Sequence, residues 1–446
     1  MDFLYIMNRR DFLKKAGVGT AALGLVACNP KKGSEIIAEA ASNEVNGNVI
    51  QRYAGVGLLG YGCMRLDSHK DENGNDVFDQ EKVNTMIDIA MAHGINYFDT
   101  APAYLEGQSE TLTANALEKY PRESYRIATK CSTQGLSGDE AEKTGREMFK
   151  QSFINFRTDY IDYYLMHSLS SRKDFENRFA GLIDMYVEER SKGHIRNLGF
   201  SFHGSREGFL GLMDLHEKYH WDFVQIQLNY VDWNRDAAFL YDELDKREIP
   251  IVIMEPLLGG RLSNVPAAIA EELKSRDPQS SIASWAFRFV ASHPRIMTVL
   301  SGMSELEHLQ DNIKTFSNFK PCSEEELDFL KGVGERIMKY PIIECTGCQY
   351  CMPCPYGIDI PGIFKFYNNE VNSGTYVNSK EQEDYARARR KYLAAYNKAI
   401  PTIRQADHCI SCGRCAKRCP QHIFIPRQLK RIDDYLEKLK QDTLDV

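Results

Sequence analysis

The sequence predicts an α/β chain: a (β/α)8 TIM barrel followed by a small, mainly helical domain that carries two runs of cysteines. Three observations predict it. Short apolar or β-branched runs, each followed by a longer helix-compatible segment, recur about every thirty to forty residues. Polar residues gather at the C-terminal ends of those runs. Eight of the twelve cysteines fall in two tight groups near the C-terminus.

The recurring runs cover residues 57–64, 95–99, 125–130, 161–167, 195–201, 223–228, 249–255 and 297–301, eight strand candidates in all. Strands that alternate with helices pair in parallel, and eight such units fit a closed barrel better than an open doubly wound sheet. The first candidate is crowded with glycine, which weakens its strand signal. The barrel is assigned to 51–320. A linker helix follows at 321–341, where Ser323 caps an acidic first turn and Tyr340-Pro341 breaks the helix. The cysteine domain occupies 342–446, with helical periodicity between its two runs, notably over 385–398.

In such a barrel the chemistry sits at the C-terminal ends of the strands. The second strand candidate runs into Asp99 and then Tyr104, the third ends in Lys130, and the fourth ends in His167. Each alone is unremarkable: a strand-end Asp often caps a helix, and a lone His is often a satisfied polar group. Together, at successive strand ends, they resemble the catalytic tetrad of the aldo-keto reductases. The resemblance covers about 55–312 and extends to Gly107-Gln108-Ser109-Glu110, to the stretch 192–201, and to Gln225-Ile226-Gln227. It implies carbonyl reduction with a nicotinamide. Tyr104 would give the proton; a free tyrosine has a pKa near ~10, which Lys130 as a cation would lower while Asp99 compensates the lysine. His167 would polarise the carbonyl oxygen as a second donor. By the same resemblance, Ser201 and Gln225 would hold the nicotinamide carboxamide and Asn312 the adenosine end.

Departures accompany the match. Met254 stands where many relatives place an aromatic that stacks on the nicotinamide, and sulfur packs against a ring more softly. The arginine that commonly grips the 2′-phosphate of NADP is absent, with His308 nearest its place, so NADH and NADPH both stay open. Phe202-His203 replaces the usual polar pair after the serine.

The cysteine runs read Cys345-x2-Cys348-x2-Cys351-x2-Cys354-Pro355 and Cys409-x2-Cys412-x2-Cys415-x3-Cys419-Pro420. The second has the spacing of bacterial two-cluster ferredoxins, in which the fourth thiolate reaches the neighbouring [4Fe–4S] cluster. The expected ligation is crossed, with Cys345, Cys348, Cys351 and Cys419 on one cluster and Cys409, Cys412, Cys415 and Cys354 on the other. Zinc sites more often pair two C-x2-C knuckles across a longer gap, and cysteines this close seldom meet disulfide geometry together. The first run is one residue tighter before its proline, which leaves its fourth ligand open. The nearest group of relatives by this reading is the aldo-keto reductases with a C-terminal ferredoxin-type domain.

The N-terminus carries an address. Arg9-Arg10 precedes an apolar stretch over 16–27 that ends in Leu25-Val26-Ala27-Cys28. This is the layout of a twin-arginine export signal over 1–28 with a lipoprotein box, followed by a tether over 29–50. It implies the periplasm or a lipoprotein anchored to the membrane of the bacterial envelope through Cys28. Export of a folded chain suits a protein whose clusters are built inside the cell. The formal charge of −7 gives no electrostatic reason to expect nucleic acid. Three functions stay in view: a nicotinamide-dependent reductase of a small-molecule carbonyl substrate, which is preferred; an iron–sulfur electron-transfer protein of the envelope with a modified barrel and a redox partner; and an envelope sugar-binding or scaffolding lipoprotein with a dead barrel, against which the intact tetrad argues.

Overall fold

The computed structural model describes residues 47–53, 55–70 and 76–444. The expected export signal, with Arg9, Arg10 and Cys28, lies outside the described residues. Eight strands close a barrel: β1 Leu59–Gly62, β2 Tyr97–Asp99, β3 Arg126–Cys131, β4 Ile161–Leu169, β5 Ile195–Phe202, β6 Phe223–Gln227, β7 Ile251–Met254 and β8 Ile296–Ser301. Each pairs with its sequence neighbour and β8 pairs with β1, all in parallel. All eight expected strands are present. Their residues are buried almost without interruption, as strands covered on both faces must be.

The glycines that blur β1 have a packing cause. A Cβ on Gly60 would stand 2.9 Å from Leu300 Cδ2 and 3.0 Å from Thr298 Oγ1, so the bare position lets β8 pack on β1 without displacing those side chains. The barrel interior is filled by Tyr97, Ala128, Tyr163, Leu165, Phe223, Val252, Met297 and Leu300. Tyr163 is its hub, with ring centroids 4.9 Å from Tyr97 and 5.0 Å from Phe223. Each large side chain so buried contributes roughly 1.5–3 kcal/mol. This layer is the floor on which the polar residues stand.

The chain divides into two compact units, one holding the strands up to Ile226 with 239–254 and 293–320, the other holding 227–238, 255–292 and 321–446. In the second unit, helix Glu324–Ile337 begins at a capping box in which Ser323 and Glu326 satisfy each other's backbone N–H. Helices Ile360–Asn372, Tyr385–Ala399 and Ile425–Gln441 pack around Phe364, Tyr392, Tyr396, Leu429 and Leu436. Asp359 caps the first of these through Gly362 N–H, with a proline in its first turn. Tyr435 stacks on Tyr376 at 4.7 Å and bonds both the N–H and C=O of Val377. Among the described residues no helix is long and apolar enough to cross a membrane.

Candidate active site and cysteine centre

The period of a strand builds the site from its floor. Residues two apart point to the same face. Tyr97, Ala128, Leu165, Phe223 and Val252 belong to the interior layer, so Asp99, Lys130, His167, Gln225 and Met254, each two residues further on, rise from the same face toward the C-terminal mouth. Five strand ends thus contribute one polar or sulfur-bearing side chain each.

Lys130 is 1% exposed, and Nζ donates to Asp99 Oδ1 at 2.6 Å and to the Thr100 carbonyl at 2.7 Å. A buried ammonium is tolerated only when paired and hydrogen-bonded in this way. Burial pushes the Asp99 carboxyl up, opposed by the Lys130 charge and bond and by Gln225, whose Nε2 stands 3.4 Å from Oδ2. Tyr104 leads a turn whose next two residues, Leu105 and Glu106, have φ of 53° and 55°. Two consecutive left-handed side chains cost about 1–2 kcal/mol each. Their effect is to return Tyr104 over the barrel mouth, where Lys130 Nζ lies 5.0 Å from its ring centroid and the His167 ring 5.8 Å away, edge-on at 79°.

His167 Nδ1 lies 2.6 Å from Ser132 Oγ, and its carbonyl accepts from Arg178 Nη2 at 2.7 Å. Burial, then the charges of Lys130, Arg178 and His203, hold its imidazole well below the usual histidine range, so it is neutral at pH 7. Thr129, next to Lys130, donates to buried Glu110 at 2.5 Å, and Ser152 and Asn155 donate to the same carboxylate at 2.8 Å each. That network ties the helix bearing Glu110 to β3. Ser132, Arg178 and Thr100 had no signal in the sequence. They are recognisable only once β3 and β4 lie side by side.

Of the residues expected to hold the nicotinamide, Ser201 and Gln225 are register partners on β5 and β6. Ser201 Oγ accepts from Ser168 N–H at 2.7 Å, which leaves its own proton to give. Gln225 Oε1 is buried with no hydrogen-bond partner among the described residues. An orphaned acceptor beside a hydroxyl donor suits an amide, so this pair fits a carboxamide. Asn312 is buried on helix Leu306–Ser317 and donates to Ser301 Oγ at 3.0 Å. Met254 is half-buried at the end of β7 and His308 is exposed.

In the second unit, Cys345, Cys348, Cys351 and Cys419 line one small cavity with Phe364, Ile360 and Ile425. The fourth sulfur comes from the second run, as the crossed arrangement requires. Burial pushes the Cys348 thiol up to about 11 and the Cys351 thiol up to about 12, so these sulfurs become thiolates only beside a cation such as iron. Among the described residues no three His, Cys, Asp or Glu converge as ligands of a single ion, whereas a cube needs sulfurs spaced around it. The residues fit a cluster. Cys354 lies in the loop that Asp359 N–H ties to the Arg404 carbonyl at 3.0 Å. Thr346, inside the first run, abuts Gly259, whose φ of +67° and bare Cα admit the contact.

Residues 58–335 match the model of the aldo/keto reductase family, and residues 344–424 match that of a 4Fe-4S dicluster domain. The chain is 24% identical over 300 residues to "Uncharacterized oxidoreductase YqkF" of Bacillus subtilis, covering 61% of this chain and 91% of that protein. It is 32% identical over 155 residues to the "NADH-specific methylglyoxal reductase" of Escherichia coli, covering 32% of this chain and 47% of that enzyme. Among solved structures, the holo form of aldo-keto reductase AKR11C1 from Bacillus halodurans superposes with a TM-score of 0.52 at 22% identity, over 65% of this chain and 96% of its own. An aldo-keto reductase from Klebsiella pneumoniae in complex with NADPH gives 0.51 at 18%, over 65% and 95%. At such identities these structures bear on the fold alone.

Proposed function

The chain belongs to the aldo/keto reductase family and carries a 4Fe-4S dicluster domain, and from that premise we propose that it reduces an aldehyde, ketone or sugar carbonyl with a nicotinamide cofactor. The observation that carries this reading is the buried Lys130–Asp99 pair beneath Tyr104, with neutral His167 at its side. When bound, the nicotinamide supplies the hydride that goes to the carbonyl carbon. The proton that goes to the oxygen comes from the Tyr104 hydroxyl, and the Lys130 cation stabilises the phenolate left behind. Asp99 keeps that cation affordable inside the barrel. With Ser132 donating to Nδ1, His167 carries its proton on Nε2 and offers it to the same oxygen. Ser201 Oγ–H and Gln225 Oε1 supply the donor and acceptor for a carboxamide.

The second part of the proposal concerns the cysteines. Two [4Fe–4S] clusters are held, one by Cys345, Cys348, Cys351 and Cys419, the other by Cys409, Cys412, Cys415 and Cys354. The converging sulfurs of the first set support it. A third part, that Arg9-Arg10 directs folded export and Cys28 is lipidated, rests on sequence alone.

The test of the reductase reading is Tyr104→Phe in anaerobically purified protein, assayed with NADH and NADPH against a panel of aldehydes and ketones. The ring still packs, so nicotinamide binding followed by fluorescence should persist while turnover falls ~10²–10⁴-fold, the scale of general acid catalysis. Wild-type turnover in this variant would exclude the mechanism.

A further inference from the structure

The two cysteine runs differ in their exposure to solvent. The first set lines a cavity walled by apolar side chains, whereas in the second run Cys412 is exposed. Around that run the surface is apolar where a soluble domain has least reason to be. Ile410, between the ligands Cys409 and Cys412, is 62% exposed, Ile403 is 77% exposed and Tyr356 is 44% exposed. Two segments distant in sequence meet here, the loop at Tyr356 and the stretch 402–410. The hydrogen bond from Asp359 N–H to the Arg404 carbonyl, and the approach of Gly357 to the Ile403 carbonyl, bring the Tyr356 loop against the Ile403 turn. His408, adjoining Cys409, lies 3.1 Å from the Thr402 carbonyl and ties the same turn to the run.

The rim of this patch is cationic. Arg404, Arg414, Lys417 and Arg418 are all exposed. None has an ion-pair partner among the described residues. Asp407 is the one exposed acid within these segments, and His408 lies 3.9 Å from it. A chain of net charge −7 thus concentrates unpaired positive charge around an apolar surface at the more exposed of its two cysteine centres. An apolar centre within a charged rim is the anatomy of a transient interface, and unpaired rim charge acts mainly by steering a partner of opposite sign.

We infer that this surface, Tyr356, Ile403 and Ile410 rimmed by Arg404, Arg414, Lys417 and Arg418, is the docking face for an acidic one-electron carrier protein, which exchanges single electrons with the cluster of the second run. The inference rests on the proposal that this run holds a cluster. One electron leaves the carrier's centre and reduces the cluster, or returns by the same route, and no bond is made or broken.

The probe is a reduced acidic plant-type [2Fe–2S] ferredoxin, mixed anaerobically with the cluster-loaded full chain in a stopped-flow spectrometer. Wild-type protein should be reduced in a second-order reaction that slows steeply between low and ~0.3 M salt, because screening shortens the reach of surface charge to under ~10 Å. In Arg414→Glu/Lys417→Glu/Arg418→Glu the low-salt rate should fall about tenfold or more and lose its salt dependence. Reduction by a photogenerated neutral deazaflavin radical should be unchanged. Equal rates in the two proteins, or a wild-type rate indifferent to salt, would overturn the proposal. Iron analysis separates the two readings: wild-type protein without iron defeats the cluster reading, while iron-replete protein without charge dependence defeats only the docking face. If the triple variant loses iron, Ile403→Ser/Arg404→Glu, which lies outside the run, decides in its place by the same criteria. Capture of the wild type by anionic phospholipid vesicles, with no charge-dependent reaction with ferredoxin, would also overturn it and make the face a membrane contact.

Discussion

Replacing Lys130 by Met separates what the buried ion pair does for folding from what it does for chemistry. Lys130 Nζ lies 5.0 Å from the Tyr104 ring centroid. At an effective dielectric of ~20, a unit charge at about 5 Å stabilises an anion by about 3 kcal/mol. At about 1.4 kcal/mol per decade, Lys130→Met should lower turnover by ~10²-fold, with little change in KM. The same substitution leaves Asp99 buried with only Gln225 nearby, and stranding one member of a buried pair costs about 3–5 kcal/mol. Lys130→Met alone would therefore be both slow and unstable, an ambiguous result. The double variant Lys130→Met/Asp99→Leu removes the stranded carboxylate, and apolar replacement of a whole buried pair is close to neutral for stability. It should recover the denaturation midpoint of the wild type, followed by near-ultraviolet circular dichroism, yet stay ~10²-fold slow. Recovery of turnover together with stability would show the pair to be architectural and refute the account of Tyr104 given above.

Further expectations follow from the same geometry. His167 is held neutral, its folded value lying well below the ordinary ~6.5, so the native state takes up fewer protons than the unfolded chain in acid; stability should be complete above pH ~6.5 and fall by up to ~1.4 kcal/mol per unit below it. His167→Asn should flatten that part of the acid limb in urea titrations at successive pH values, and an unaltered limb would contradict the assignment. Anaerobic protein should contain about eight iron and eight sulfide per chain, with Cys419→Ser and Cys354→Ser each removing about half; zinc in their place would end the cluster reading. Arg9→Lys/Arg10→Lys should retain the chain in the cytoplasm and Cys28→Ala should abolish lipid labelling, whereas unchanged envelope fractionation would defeat the export proposal.

The sequence made legible whatever obeys a local period. Eight strands were readable because each is a short apolar run with a helix behind it, and Asp99, Lys130 and His167 because a strand end is a local event. The cap at Ser323 with its acidic first turn was likewise visible, though its reciprocal bond with Glu326 was not. What stayed hidden depends on neighbours across the barrel. Ser132 looks like any loop serine until β4 brings His167 Nδ1 to 2.6 Å. Arg178 looks like a solvated helix charge, yet it is 5% exposed and donates to the His167 carbonyl. The unsatisfied oxygen of Gln225 is a property of its surroundings, and no residue type announces it. The composition of the second unit was hidden for the same reason: 227–238 and 255–292 join 321–446 through contacts between distant segments.

Those contacts bear on how such a domain is inherited. Gly259 presses on the Thr346 carbonyl in a left-handed conformation that other residues adopt at a cost, Gln227 and Gln421 exchange amide hydrogen bonds at 3.0 and 3.3 Å, and Arg235 pairs with Glu344. The 4Fe-4S segment is therefore not a cassette that can be cut at its linker and spliced to another host. A recipient would have to bring a bare left-handed residue, an amide and a guanidinium at three places far upstream. Shuffling of the C-terminal segment alone would leave its first cysteine loop without its supports, so the two parts of this chain are bound to change sequence together.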